Sequence, residues 1–274
     1  MAREWLATEL GARVASAAVL GTIVLLATYQ GGWPFALLWL TAAIAVLVEW
    51  IEIARTEPRR TLQAALGAAL AGLTAVHLAA LSPLVAGAVF AAGLIAAAAL
   101  GRAAPDRLWA AVAFVAAAVL VLVPPLVRDD PQLGLVGLLW MFAVVWATDI
   151  SAYFVGRGVG GPKLCPGVSP RKTWSGFLGG LAAGTGAGVL VPATASRWGW
   201  AMPLPLAAIA VVSAFASLVG QLGDLAESAL KRRFGVKDSG RLIPGHGGVM
   251  DRLDAFWAVA VLVGLSFAVW HLAR

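Results

Sequence analysis

Long apolar runs, each about as long as a membrane-crossing helix, occupy most of this 274-residue chain. A helix needs about 20 apolar residues to cross the hydrocarbon of a bilayer. Nine candidate spans cover residues 13–29, 33–53, 61–81, 83–100, 108–127, 133–156, 175–194, 203–228 and 254–272. Only 12% of the residues are charged, which is about half the usual share in a soluble domain. We therefore predict an all-α, polytopic transmembrane bundle with no soluble domain.

The basic residues predict how the bundle is oriented. Lys and Arg accumulate on the cytoplasmic side of membrane proteins. With the N-terminus inside, all but three of the 20 Lys and Arg residues lie in inner segments. The three in outer segments are Arg128, Arg197 and Arg274. We expect an N-in, C-out protein. Because topology accounts for the charge of +6, no nucleic-acid partner is expected.

Glycines recur at every fourth position of the seventh span, at Gly176, Gly180, Gly184 and Gly188. Small residues at this spacing form a smooth ridge, which lets helix backbones approach closely in lipid. The ridge indicates either packing inside the bundle or a subunit interface. No internal repeat is evident, and this disfavours a transporter, since many transporters carry duplicated halves.

Two inner loops carry more polar sequence than topology requires. Residues 157–174 and 231–253 combine basic residues with Gly, Pro, Ser and Asp. We therefore expect residues 1–130 to form a scaffold of five spans. Residues 131–274 are expected to form the catalytic region with two cytoplasmic active-site loops.

The end of the eighth span and the loop after it contain the strongest candidates for chemistry. One helical face gathers polar side chains at spacings of three and four residues, namely Gln221, Asp224, Glu227, Ser228 and Lys231. Carboxylates at a membrane boundary need partners, and an ion pair with Lys231 or Arg232 is the structural alternative. Asp224 and Asp251 come from two helix ends on the same side and can together hold a hard divalent cation. Mg²⁺ is usually bound by one or two carboxylates plus substrate phosphates.

The glycines of the 231–253 loop permit turns that bring backbone N–H groups near an anion. His246 lies between Gly245 and Gly247, and we expect it to contact substrate, with stabilisation of the turn as the alternative. Carboxylates surrounded by Lys and Arg are typical of phosphoryl or nucleotidyl transfer, in which the protein mainly positions charges.

The 157–174 loop has its own phosphate-binding pattern. We expect a turn at Ser169-Pro170, followed by Arg171, Lys172 and Thr173 at the start of the seventh span. Backbone amides at a helix start suit a phosphate group. In the sixth span, Asp149 is expected to pair with a loop cation, shape the site or join the metal.

The C-terminal half resembles the phosphatidate cytidylyltransferases, the CDP-diacylglycerol synthases. Residues Ser228 to Asp254 read SALKRRFGVKDSGRLIPGHGGVMDRLD and resemble the signature of that family. The upstream segments WATDISAYFVGR, VSPRKTW and GQLGDLAES are similar to its other characteristic segments. The resemblance covers residues 146–257, whereas the first five spans match only in being hydrophobic.

The resemblance implies a Mg²⁺-dependent reaction of CTP with phosphatidate that yields CDP-diacylglycerol and pyrophosphate. It implies that Asp224 and Asp251 hold one or more metal ions. Phosphate-contacting or supporting roles fall to Lys231, Arg232, Lys237, His246 and Arg252. Binding of the lipid phosphate or nucleotide falls to Ser169, Lys172 and Thr173, and we also expect Ser228, Asp149 and Arg157 to line the substrate site. A homodimer in a prokaryotic-type inner membrane is implied as well, with the active site facing the cytoplasm.

One residue departs from the family pattern, since Ser175 stands where the family commonly has Glu after Lys-Thr-Trp. Two other functions stay open on the sequence. A related CTP-dependent lipid enzyme would be a polyprenol or phytol kinase, or a CDP-archaeol synthase. A transporter with a basic cytoplasmic gate is the alternative from another class.

Overall fold

The structure is a computed structural model that describes residues 18–200, 204–240, 242 and 247–272. Its helices are α1 Ala18–Gln30, α2 Gly32–Ile53, α3 Arg59–Leu78, α4 Pro83–Leu100, α5 Ala104–Asp129, α6 Gly134–Gly158, α7 Trp174–Ala195, α8 Leu206–Arg233 and α9 Met250–Leu272. A short 3₁₀ helix follows α7 at Ser196–Trp198. Two strands, β1 Lys163–Cys165 and β2 Ser169–Thr173, lie between α6 and α7.

The predicted all-α membrane fold is confirmed. Eight of the described helices, α2 to α9, are long and apolar enough to cross a membrane. Of the first expected span, residues 18–29 fall in α1, which is apolar but shorter than a span. Residues 13–17 lie outside the described part of the chain. The protein is thus an integral membrane protein built from apolar helices.

Glycine and proline set two of the helix boundaries. Gly31 and Gly32, between α1 and α2, have φ angles of 68° and 57°, a left-handed conformation that costs glycine little. At Ser82-Pro83, α4 begins with proline in its first turn, where a missing backbone N–H does no harm. The expected spans 61–81 and 83–100, which nearly adjoin in the sequence, are therefore separate helices, α3 and α4.

The chain forms two compact units. The first comprises residues 1–125 and 238–252. Its core is aliphatic, with the fully buried Leu47 and Ile51 of α2 and Leu66 of α3. On α4, a Cβ added at Gly93 would overlap the ring of Phe114 in α5, so this glycine lets the ring seat against the helix backbone.

The second unit comprises residues 126–237 and 253–274, and the glycine ridge of α7 lies inside it. All four ridge glycines are buried. A Cβ at Gly176 would lie 2.6 Å from the carbonyl oxygen of Ala152 in α6, and one at Gly180 would lie 2.9 Å from that of Thr148. A Cβ at Gly188 would overlap the hydroxyl of Ser213 in α8. Packing inside the bundle is therefore confirmed, and the alternative of a subunit interface at this ridge is wrong.

Polar groups facing the ridge are paired with each other. The hydroxyls of Thr148 and Ser217 are 2.7 Å apart, and the indole N–H of Trp140 donates to Ser213 Oγ at 2.8 Å. Buried polar groups are costly unless they form such bonds. The hydrogen bonds link α6 to α8 where the glycines of α7 leave room.

The loop after α6 contains a β-hairpin that the sequence did not predict. β1 pairs antiparallel with β2, with Lys163 opposite Thr173 and Cys165 opposite Ser169. The turn occupies residues 166–168. The expected turn at Ser169-Pro170 is therefore wrong: Ser169 begins a strand, because the preceding Pro166-Gly167 pair already reverses the chain.

The glycine ridge yields a stability prediction with a control on the same helix. At Gly184 a Cβ would overlap Thr148 Oγ1 and lie 2.9 Å from Ser217 Oγ, whereas at Gly186 nothing lies within 4 Å. Overpacking a tight contact costs about 1–3 kcal/mol. We expect Gly184→Ala to lower the thermal midpoint in detergent and Gly186→Ala to leave it unchanged or slightly raised. Equal midpoints for the two variants would contradict the packing described for α7.

Candidate active site

The hairpin and α8 meet in an ion pair within the second unit. Lys172 Nζ on β2 lies 2.5 Å from Asp224 Oδ2 on α8. The two side chains keep 26% and 31% of their surface exposed, so neither is enclosed by the protein. The structure thus joins two predicted site residues that are 52 positions apart in sequence.

One turn further along α8, Lys231 and Glu227 form a second ion pair. Their charged atoms lie 2.7 Å apart, and the side chains are only 11% and 8% exposed. The structural alternative considered for the boundary carboxylates is therefore confirmed for Glu227. It is not confirmed for Asp224, whose lysine partner comes from the hairpin and not from its own helix.

Four carboxyl groups gather around the end of α8, and we call them the acidic cluster: Asp149, Asp224, Glu227 and Asp254. The carboxyl group of Asp254 interacts electrostatically with the other three. Gly223 lets α8 and α9 approach, since a Cβ there would overlap the methyl group of Ala258. The cluster adds Asp254 to the candidates named from the sequence. Its position three residues after Asp251 is evident in the sequence, but the contact between α8 and α9 is not.

The corner between β2 and α7 is held by hydroxyl groups. Thr173 caps α7, with its Oγ1 accepting from the N–H of Gly176 at 3.1 Å. Ser175 Oγ lies 3.0 Å from Thr173 Oγ1 and donates to the carbonyl oxygen of Gly160 in a short hydrogen bond. The departure at Ser175 therefore has a structural role, because this hydroxyl ties the segment that follows α6 to the start of α7.

Asp251, the other expected metal ligand, lies in the first unit. Its Oδ2 accepts from the N–H groups of Ser239 at 2.9 Å and Gly248 at 3.0 Å. These bonds join the start of α9 to Ser239 and Gly248. The carboxylate of Glu49 on α2 also contacts Ser239 and accepts a hydrogen bond from its Oγ at 2.9 Å.

Glu49 is a residue that the sequence analysis missed. It is 1% exposed and stands near the end of an apolar span that also contains Glu52. A carboxylate inside a membrane segment is by default a sign of function, so the signal was present in the sequence. Only the fold brings it to a loop about 200 positions later in the chain.

The remaining predicted residues have the following places. Ser228 Oγ lies 3.5 Å from Asp224 Oδ1. Arg157 bonds to the hydroxyl of Tyr153 at 2.9 Å, and Arg232 bonds to the carbonyl oxygen of Val236 at 3.2 Å. The exposed predicted residues include Asp149, Lys237 and Arg252, while Ser169 is half-buried at the start of β2. His246 lies outside the described residues.

The residues present suit a hard cation that is completed by substrate. Within residues 18–240, 242 and 247–272, leaving aside 201–203, no group of three or more His, Cys, Asp and Glu side chains is arranged to hold a metal ion. Mg²⁺ does not need such a cage, because it commonly takes one or two carboxylates and fills its other positions with water and phosphate oxygens. Asp224 of the second unit and Asp251 of the first are each a carboxylate of the kind that Mg²⁺ takes.

The Lys231–Glu227 pair yields a prediction about stability. Removing one partner of a buried ion pair costs about 3–5 kcal/mol, whereas replacing both by apolar residues is often neutral. We expect Glu227→Leu alone to lower the thermal midpoint in detergent, and Glu227→Leu with Lys231→Met to recover most of the loss. A double variant no more stable than the single one would contradict a pairwise interaction.

Comparison with known proteins places the chain in a family. The sequence model of the cytidylyltransferase family matches residues 11–270. A phosphatidate cytidylyltransferase of Brucella abortus biovar 1 (strain 9-941) is 41% identical over 269 residues, which cover 96% of this chain and 95% of the relative. The phosphatidate cytidylyltransferase of Bacillus subtilis (strain 168) is 45% identical over 130 residues, which cover 47% of this chain and 46% of the relative. Since the match extends across nearly the whole chain, this protein belongs to the cytidylyltransferase family.

Proposed function

We propose that this protein is a phosphatidate cytidylyltransferase, which converts CTP and phosphatidate to CDP-diacylglycerol and pyrophosphate. The observation that carries the proposal is the relative of this name that aligns over 96% of the chain. The polar sequence resembling the family signature also lies where α8 ends and α9 begins. In the reaction, a phosphate oxygen of phosphatidate attacks the α-phosphorus of CTP. The bond from the α-phosphorus to the bridging oxygen of the β-phosphate breaks, and pyrophosphate leaves.

This chemistry needs no side-chain nucleophile, because the lipid phosphate is already ionised. The protein supplies positioning and charge, as is usual in transfers at phosphorus. Lys172 and Lys231 offer ammonium groups near the acidic cluster. Phosphate contacts are further assigned to Arg232, Lys237, His246 and Arg252, and substrate contacts to Asp149, Arg157, Ser169, Thr173 and Ser228.

Asp224 and Asp251 are the proposed ligands of Mg²⁺, and the proposal covers one ion or more. When bound, the ion neutralises phosphate charge and polarises the α-phosphorus for attack. Lys172 has a role of its own beside it. Its ammonium group holds the carboxylate of Asp224 in place and is itself within reach of a phosphate that enters from water.

The proposal includes the location and assembly of the protein. The distribution of Lys and Arg supports a cytoplasmic N-terminus and an active site on the cytoplasmic face of a prokaryotic inner membrane. CTP then reaches the site from the cytoplasm, and phosphatidate from the bilayer. A homodimer is also proposed from the family resemblance. Its interface must lie elsewhere than the ridge of α7, which is buried within its own unit.

The activity is tested with purified protein, CTP, phosphatidate and Mg²⁺. We expect CDP-diacylglycerol and an equal amount of pyrophosphate. Asp224→Asn and Asp251→Asn should each reduce kcat/KM at least about 100-fold, which is the scale for removing one group that stabilises a transition state. Asp129→Asn is the matched control, since Asp129 is exposed at the end of α5, and it should retain activity.

Two outcomes would contradict the proposed transfer, and a third would contradict the metal assignment alone. Release of CDP instead of pyrophosphate would identify a lipid kinase. Absence of any CDP-lipid from the unmodified protein would contradict cytidylyl transfer itself. Full activity in both Asp224→Asn and Asp251→Asn would leave the transfer intact and remove the metal assignment.

The orientation is tested by labelling with a membrane-impermeant thiol reagent. Replacing the single cysteine with Cys165→Ser gives a background for two exposed positions, Gly167→Cys in the hairpin turn and Ser196→Cys after α7. We expect Ser196→Cys to react in intact spheroplasts and Gly167→Cys to react only after lysis. The opposite pattern would reverse the proposed topology.

A further inference from the structure

A buried carboxylate on α2 lies against the loop that leads into α9. Glu49 is 1% exposed, and all three of its described partners come from residues 239–250. Its Oε1 accepts from the N–H of Val249 at 2.9 Å. Its Oε2 accepts from the N–H of Met250 at 2.9 Å and from Ser239 Oγ at 2.9 Å. These bonds offset the cost of burying a polar group.

The backbone of the loop is fitted closely around this carboxylate. A Cβ at Gly240 would lie 2.6 Å from Glu49 Oε1, and a Cβ at Gly248 would lie 2.6 Å from Oε2. Both glycines therefore allow an approach that other residues would block. The contact therefore involves described residues at both ends of the loop, Gly240 and Gly248, and not one end alone.

Ser239 connects Glu49 to Asp251. The Ser239 hydroxyl donates to Glu49 Oε2 and accepts from the N–H of Asp251 at 3.3 Å. The N–H of Ser239 in turn donates to Asp251 Oδ2, which also accepts from Gly248. The position of the Asp251 carboxylate thus depends on a hydrogen-bonded path that begins at Glu49.

We propose that Glu49 is a positioning residue, which holds Ser239 and residues 248–250 so that the Asp251 carboxylate is presented to its ligand. The proposal rests on the metal-binding role assigned to Asp251 in the proposed function. Partners that orient a metal ligand typically change metal affinity or activity 10- to 100-fold when removed. Glu49 acts on Asp251 indirectly, through Ser239 and the first residues of α9.

The acid is needed, and its amide cannot replace it. In Glu49→Gln, one side-chain oxygen becomes an NH₂ group. Whichever way the amide is turned, the NH₂ faces a backbone N–H, either that of Val249 or that of Met250. Two donors then oppose each other in a buried place, and a buried donor without an acceptor is destabilising.

The test compares Glu49→Gln with Glu52→Gln, an exposed acid on the same helix that loses the same charge. Two measurements need no substrate: the Mg²⁺ concentration giving half of the Mg²⁺-dependent thermal shift, and the hydrogen exchange of the Val249 and Met250 amides. We expect Glu49→Gln to raise the half-saturating Mg²⁺ concentration about 10-fold or more. The same variant should speed the hydrogen exchange of the two amides. In Glu49→Gln, kcat should fall by a similar factor. Glu52→Gln should match the unmodified protein in Mg²⁺ binding, amide exchange and kcat.

Ser239→Ala is the second variant, which keeps the buried carboxylate and its two backbone bonds. It should weaken Mg²⁺ binding in the same direction as Glu49→Gln, and the two effects should not add, because both act on one path. If Glu49→Gln does not fold, Ser239→Ala alone decides.

Two results would overturn the proposal. If exchange rises in Glu49→Gln but Mg²⁺ binding is unchanged, Glu49 only stabilises the start of α9. If neither changes, the carboxylate does not hold the loop. Failure of the proposed function is separable, since it shows as absence of CDP-lipid from the unmodified protein, whereas the thermal shift and exchange are measured without turnover.

Discussion

Hydrocarbon offers no hydrogen-bond partners, and the rest of the structure depends on this constraint. A single span must be helical so that its backbone N–H and C=O groups bond to each other. Eight described helices are long and apolar enough to be such spans. Polar side chains within the spans must pair with each other or lie near an end. Thr148 pairs with Ser217 inside the bundle. The side chains of the acidic cluster and its partners Lys172 and Lys231 lie near the end of α8. The constraint thereby favours helix ends as the place for charged side chains.

Close helix packing positions these ends. The glycines of α7 bring its backbone against α6, and Gly223 brings α8 against α9. In lipid such contacts replace the hydrophobic effect as the source of association, since the apolar side chains are equally well solvated by acyl chains. The carboxylates of Asp224 and Asp254 are consequently placed by glycines, which carry no chemistry of their own.

The spans were predictable because length and hydropathy are local properties of the sequence. Local spacing also predicted the Lys231–Glu227 pair. Contacts between distant segments were not predictable. The hairpin of residues 163–173 depends on a three-residue turn within a loop, and the Lys172–Asp224 pair follows from where that hairpin places its second strand. Glu49 was visible as an acid in an apolar run, but its partners lie about 200 positions away.

The central claim is that the α-phosphoryl group of CTP, with its cytidine, is transferred to a lipid phosphate. The most direct measurement supplies phosphatidate with CTP labelled at the α-phosphorus, in parallel with CTP labelled at the γ-phosphorus, and follows each label into the lipid fraction. The account predicts that the α label enters the lipid and the γ label stays in water as pyrophosphate. Entry of the γ label, or of neither, would contradict it.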